Sequence, residues 1–98
     1  MYVKIHRSYR AVVAVCDEDL IGNIFSEDKR QLDCKESFYK GEEVKENELI
    51  KIIQAQAGDD ATFNIVGEKS VAAAIKAGLV AKDAIFRVQG VPFVLTLL

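Results

Sequence analysis

The chain is poor in the residues that site chemistry most often uses. It has one histidine, two cysteines and one proline. His6, Cys16 and Cys34 supply too few soft ligands for a zinc site unless the chain oligomerises or borrows a carboxylate. The cysteines are too far apart for a C-x-x-C clip. Each sits in an apolar or alternating run, where a buried free thiol is the commoner occupant and a redox pair the rarer one. Nothing nearby in sequence pairs His6 with a nucleophile or an orienting acid, and a lone histidine on a strand face is usually plain surface. Acids are plentiful, yet Asp17-Glu18-Asp19 lacks the alternate spacing, central glycine and distal glutamate of a calcium loop. Neither nucleotide-binding glycine pattern, G-x-x-x-x-G-K-[ST] or G-x-G-x-x-G, is present. No apolar run approaches a membrane span, and Lys4, His6 and Arg7 interrupt the N-terminus too early for a signal peptide. A net charge of −2 exerts no bulk pull on nucleic acid or anionic membrane, so such binding would need a local patch. These absences point to a cytoplasmic protein without metal or cofactor, and to a binding module more than to an enzyme.

What is present describes a globular fold. Of 98 residues, half are hydrophobic and 29% charged, enough for one α/β domain over residues 1–98 with a real core. Tyr2 to Ser8 alternates, with Val3 and Ile5 on one face, as a half-buried strand does. Ala11 to Cys16 is apolar without alternation, as in a central strand covered on both faces. The two form a natural antiparallel hairpin around Ser8-Tyr9. Asp17 to Asp19 then reads as a solvated turn in which Asp17 caps a following helical segment. That segment tucks Leu20, Ile21, Ile24 and Phe25 under the sheet. Ser26 to Arg30 reads as a polar loop, and Gln31 to Glu36 as a third strand with Leu32 and Cys34 inward. Glu46 to Ala57 carries Leu49, Ile50, Ile52, Ile53 and Ala57 on one side of a helix, closed by Gly58.

The stretch from Thr62 to Gly90 organises the rest. A β-rich run, Thr62 to Val66, meets Gly67. A helical pattern runs from Glu68 to Ala77 and stops at Gly78, and a second β-rich run follows from Ala84 to Val88. This is a βαβ outline whose crossover should join parallel strands. The fold class expected is therefore a mixed α/β sheet of five or six strands with at least two helices, an N-terminal β-hairpin and a C-terminal βαβ unit. A turn at Gln89 to Pro92 leads into the apolar tail Phe93–Leu98. Alternation puts Phe93, Leu95 and Leu97 on one side of that tail and Val94, Thr96 and Leu98 on the other. Two readings of the tail stand: a strand that buries Val94 and Leu98 against a second copy in a homodimer, or a central strand covered by helices.

Two segments are candidates for function. Gly67-Glu68-Lys69-Ser70 opens a helix just past a strand end. Gly67 allows close approach, the amides of Glu68 to Ser70 donate, Lys69 adds charge, and Asn64 lies beside them. That is either a weak anion site or a helix start that Glu68 caps for itself. Ser37-Phe38-Tyr39-Lys40-Gly41 puts two aromatic rings beside a lysine. They either stack on a base or, more commonly, anchor a loop on the core.

Asp19-Leu20-Ile21-Gly22, Ser37-Phe38-Tyr39-Lys40-Gly41-Glu42, Asn64-Ile65-Val66-Gly67-Glu68-Lys69-Ser70-Val71 and Gly90-Val91-Pro92 occur in that order. With them the chain resembles, over nearly its whole length, a family of small archaeal proteins known as domain of unknown function number four-two-four. The resemblance implies a compact α/β domain and an archaeal cytosolic protein suspected of RNA or translation work without an assigned activity. Family members commonly carry a histidine and polar residues after Gly-Val-Pro, where this chain has Phe93-Val94-Leu95, so a role for that histidine does not carry over. The leading expectation is a non-enzymatic module contacting RNA or a ribonucleoprotein through Phe38, Tyr39, Lys40, Asn64, Gly67, Lys69 and Ser70. A phosphate- or nucleotide-handling enzyme at Gly67 and a protein–protein adaptor are the alternatives.

Overall fold

The computed structural model describes residues 1–96. Leu97 and Leu98, assigned above to the end of the apolar tail, lie outside the described residues. Eight strands and three helices follow in the order β1 Tyr2–His6, β2 Val12–Cys16, β3 Ile24–Glu27, β4 Arg30–Asp33, α1 Glu36–Tyr39, β5 Glu42–Glu43, α2 Glu46–Gly58, β6 Thr62–Val66, α3 Glu68–Lys76, β7 Phe86–Val88 and β8 Val91–Thr96. Six strands make one mixed sheet in the order β5-β1-β2-β6-β8-β7, and β3 and β4 form a separate hairpin. No helix among the described residues is long and apolar enough to cross a membrane.

The expected hairpin is there: β1 and β2 are antiparallel, with Tyr2 opposite Cys16 and His6 opposite Val12. β2 is central, and its apolar run is explained by two covered faces. Val13 and Val15 join Phe63, Ile65 and Val94 beneath Leu49 and Ile53 of α2 and Val71 and Ala74 of α3. The alternate residues Ala14 and Cys16 join Val66, Cys34 and Tyr39 on the other face. α1 and the β3–β4 hairpin cover only part of that second face.

The βαβ outline holds with an insertion. β6 pairs antiparallel with β8, and β8 pairs antiparallel with β7. So β6 and β7 run in the same direction, but β8 lies between them and they are not bonded neighbours. The parallel pair is instead β2 with β6. The insertion follows from the turn chemistry: Gln89 and Gly90 both take positive φ, 51° and 78°. That is the backbone of a two-residue hairpin turn, and it folds β8 straight back onto β7. Val91 and Pro92, read from sequence as turn, are therefore strand.

Three local expectations are corrected. Ser26 to Arg30 is not a loop but the turn and flanks of the β3–β4 hairpin, with Asp28 at φ 54°. Leu20, Ile21 and Phe25 do pack under the sheet, whereas Ile24 points out to solvent. Asp17 is not solvated. It is 6% exposed, and the short 3-10 turn that follows it, Glu18–Leu20, receives no side-chain cap. In β8 Pro92 and Val94 are buried, Val94 at 3% exposure, while Leu95 is 48% exposed. The side of the tail that sequence left for a partner is thus the side the helices cover.

Candidate nucleic-acid interface

The helix start at Gly67 is built around an internal anion. β2 and β6 end side by side, with Cys16 opposite Val66, so the next residue of β2, Asp17, meets the first turn of α3. One carboxylate oxygen of Asp17 accepts the Lys69 amide at 3.0 Å. The other accepts the Ser70 amide at 2.8 Å and the Ser70 hydroxyl at 2.6 Å. Ser70 is fully buried. Gly67 sits at φ 111°, and a Cβ there would lie 2.3 Å from the Asp17 carboxyl carbon. The glycine makes room for aspartate rather than for a ligand. The expected self-cap is corrected too: Glu68 turns away to Arg87 at 3.0 Å. The hollow that remains, about 250 Å³, has Leu20, Val91 and Pro92 in its lining, and its charged groups are Asp17, Asp19 and Glu68 against Lys69. A field of that sign repels phosphate.

The aromatic pair anchors its loop. α1 is a single turn in which Tyr39 is buried and Phe38 half-buried. The Phe38 ring stacks on His6 at 4.5 Å with 14° between planes, and meets Tyr39 edge-on at 4.9 Å. His6 Nε2 lies 2.8 Å from the Phe38 carbonyl, and Lys4 Nζ donates to the Ser37 carbonyl at 2.7 Å. His6 is therefore not plain surface; it holds α1 onto β1. Burial pushes the Tyr39 phenol up from its ordinary value, helped by the nearby Cys34 and Cys16. Both cysteines are free and buried in the same cluster. The hydrogen bond to Cys34, and then burial, push the Cys16 thiol up. The same bond pushes the Cys34 thiol down, and it is burial that shields both thiols from reagents in the fold.

The residues assembled from sequence into one surface divide between the two faces of the sheet. Lys69 and Ser70 belong to α3, while Phe38 and Lys40 lie against β1 on the opposite face. Lys35 pairs with Asp33 at 3.9 Å, Lys40 with Glu36 at 3.7 Å and Lys76 with Glu46 at 2.8 Å. These lysines form no common patch. Two of the candidates do come together: Tyr39 and Asn64 line one cleft on the partly open face.

The basic surface lies elsewhere, in a place sequence reading passed over as a turn. Residues 1–16 contain Lys4, His6, Arg7 and Arg10 and no acid, so the chain's −2 divides into +3 on this hairpin and −5 on the rest. At its tip Tyr9 is fully exposed. Arg7 and Arg10 are exposed beside it and enter no ion pair among the described residues. The signal was available in the sequence as an acid-free run of sixteen residues with an aromatic between two arginines.

A family model described as Protein of unknown function (DUF424) matches residues 6–97. Among solved structures, the crystal structure of an uncharacterized conserved protein from Methanopyrus kandleri is similar to this chain, with a TM-score of 0.87 and 30% sequence identity over 97% of this chain and 88% of that one. No curated protein matches the chain.

Proposed function

The chain belongs to the DUF424 family of proteins of unknown function, and we propose that it is a non-enzymatic module that binds single-stranded RNA through the tip and open face of its N-terminal hairpin. The observation that carries this reading is the charge separation. An acid-free hairpin presents Arg7, Tyr9 and Arg10 at its tip on an otherwise acidic domain. Unpaired guanidiniums neutralise phosphates, and an exposed aromatic between them offers a stacking surface to any base. Behind the tip, Lys4 continues the positive charge along β1, held by its bond to the Ser37 carbonyl. The acidic remainder suppresses binding in other orientations.

A phosphate-handling activity at Gly67 has less support, because Asp17 already fills the helix N-terminus. An adaptor role has no specific observation in its favour. Fluorescence anisotropy with a short single-stranded RNA across a salt series tests the proposal. About four phosphate contacts predict a log–log slope near −3. Arg7→Ala with Arg10→Ala flattens that slope by about half, and Tyr9→Ala weakens binding by about five- to a hundredfold. RNA binding that ignores both variants rejects the hairpin, and no RNA binding at low salt rejects the function.

A further inference from the structure

The open face of the sheet carries a second, more selective feature. Tyr39 of α1, Gln31 and Asp33 of β4 and the sheet residues Asn64, Phe93 and Leu95 line one cleft of about 190 Å³. The volume suits one ring system rather than a drug-sized ligand. Its polar groups are free to act. The Asn64 amide is half-buried and the Tyr39 hydroxyl rims the cleft, and neither has a protein partner among the described residues. The Asp33 carboxylate is held only by a long, exposed contact to Lys35 at 3.9 Å. Phe93 and Leu95 are shared with the adjoining hollow formed by Arg30 and Phe86. There the Phe86 ring, half exposed, lies 5.7 Å from Phe93, and the Arg30 guanidinium sits 5.6 Å over it.

We infer that this cleft is a guanine-recognition pocket for RNA held by the hairpin. The inference rests on the RNA reading above and deepens it. The chemistry is one of complementary edges. A carboxylate offers two parallel acceptors, and guanine is the base whose pairing edge offers two adjacent N–H donors. Asp33 on one wall accepts from those donors. Asn64, which stands beside Leu95 on the sheet, donates to the guanine carbonyl, and the ring lies over Phe93 and Leu95. The Arg30 guanidinium, held over the Phe86 ring, lies beside the cleft for the neighbouring phosphate. Asn64 shares a cross-strand row with Ala14 and Lys4, but Ala14 is fully buried, and it is the half-buried row beyond it that joins the cleft to the hairpin. Two residues further along the strands lie Thr62, Val12 and His6, close to the tip.

The test uses three pentanucleotide RNAs of uridine with guanine, adenine or cytosine at the centre, and free guanosine monophosphate. The wild type should prefer the guanine RNA by about tenfold or more. Asp33→Asn and Asn64→Ala should abolish that preference, leaving the guanine RNA bound no more tightly than the adenine and cytosine RNAs. The side-chain amide signal of Asn64 should shift on adding the guanine RNA to unaltered protein, which is a readout independent of any variant. Salt-dependent binding of all three RNAs with no guanine preference overturns the pocket and leaves the hairpin standing. A preference that survives Asp33→Asn, in a variant that keeps its melting temperature, overturns it as well. Guanosine monophosphate binding as tightly as the pentanucleotide would make the ligand a free nucleotide and overturn the RNA assignment. No binding of any RNA removes the pocket and the hairpin together.

Discussion

Replacing Asp17 with alanine should be among the most damaging single changes in the chain. The side chain is 6% exposed and accepts three hydrogen bonds from the first turn of α3. Lys69 is exposed, so water can replace the carboxylate at its amide and the loss there is about 1 kcal/mol, as for an ordinary cap. Ser70 is buried, and its amide and hydroxyl would be stranded at about 1–3 kcal/mol each. The total, about 3–7 kcal/mol, is a large share of the roughly 5–15 kcal/mol expected for a domain of this size. Ser70→Ala should cost about 1–2 kcal/mol, because it removes the hydroxyl and keeps both amide bonds. The two changes share a partner, so the double variant should lose less than the sum of the singles by about 1 kcal/mol or more. Gly67→Ala should cost at least about 2 kcal/mol, because its methyl overlaps the carboxylate and φ is 111°. Urea unfolding monitored by circular dichroism measures all four variants. Asp17→Ala within about 1 kcal/mol of wild type, or strict additivity with Ser70→Ala, would show that the carboxylate does not hold the helix and would reopen the site to an external anion.

Three further outcomes follow from the packing. Tyr39 titrates above the ordinary tyrosine value of 10.0 in the fold. Its contribution is therefore fully present below pH 10 and falls above it, by about 1.4 kcal/mol per pH unit; urea midpoints between pH 9 and 11 should fall more steeply for wild type than for Tyr39→Phe. Cys16 and Cys34 should resist thiol reagents in the native state and react only as the protein opens, so that labelling accelerates with urea in step with unfolding. Val94→Lys should unfold the protein, because it buries a charge beneath α3, whereas Leu95→Lys should change stability by less than about 1 kcal/mol. Equal damage from the two would contradict the assignment of faces in β8.

Local pattern was enough for the elements and for much of the core. The alternation of Tyr2 to His6, the unbroken apolar run of Val12 to Cys16, the helical spacing of Leu49 and Ile53 and the Thr62-to-Gly67 boundary are each set by near neighbours, and each was legible without a structure. The β3–β4 hairpin was half legible: alternation from Gln31 marks β4, which the structure ends at Asp33, whereas the Asp28-Lys29 turn carries no glycine and hides β3. The acid-free hairpin was legible as charge but was overlooked because net charge was weighed over the whole chain.

Apart from the β1–β2 hairpin, pairing across the sheet could not be read from any window of sequence. Which strand lies beside which is decided by the competition among all the apolar faces at once, and a two-residue turn at Gln89-Gly90 was enough to place β8 between β6 and β7. The same competition decided the candidate sites. Asp17 and Ser70 are 53 residues apart in sequence, and their contact converts an apparent anion site into a capped helix. Asp33, Tyr39 and Asn64 come from three separate elements, and their cleft exists only where α1 and the β3–β4 hairpin leave one sheet face partly uncovered. Sequence determined which segments could be strand or helix, because backbone preference and hydrophobic period act over a few residues. Only the tertiary structure decided which polar groups would meet, because that depends on how strands of remote sequence share one sheet.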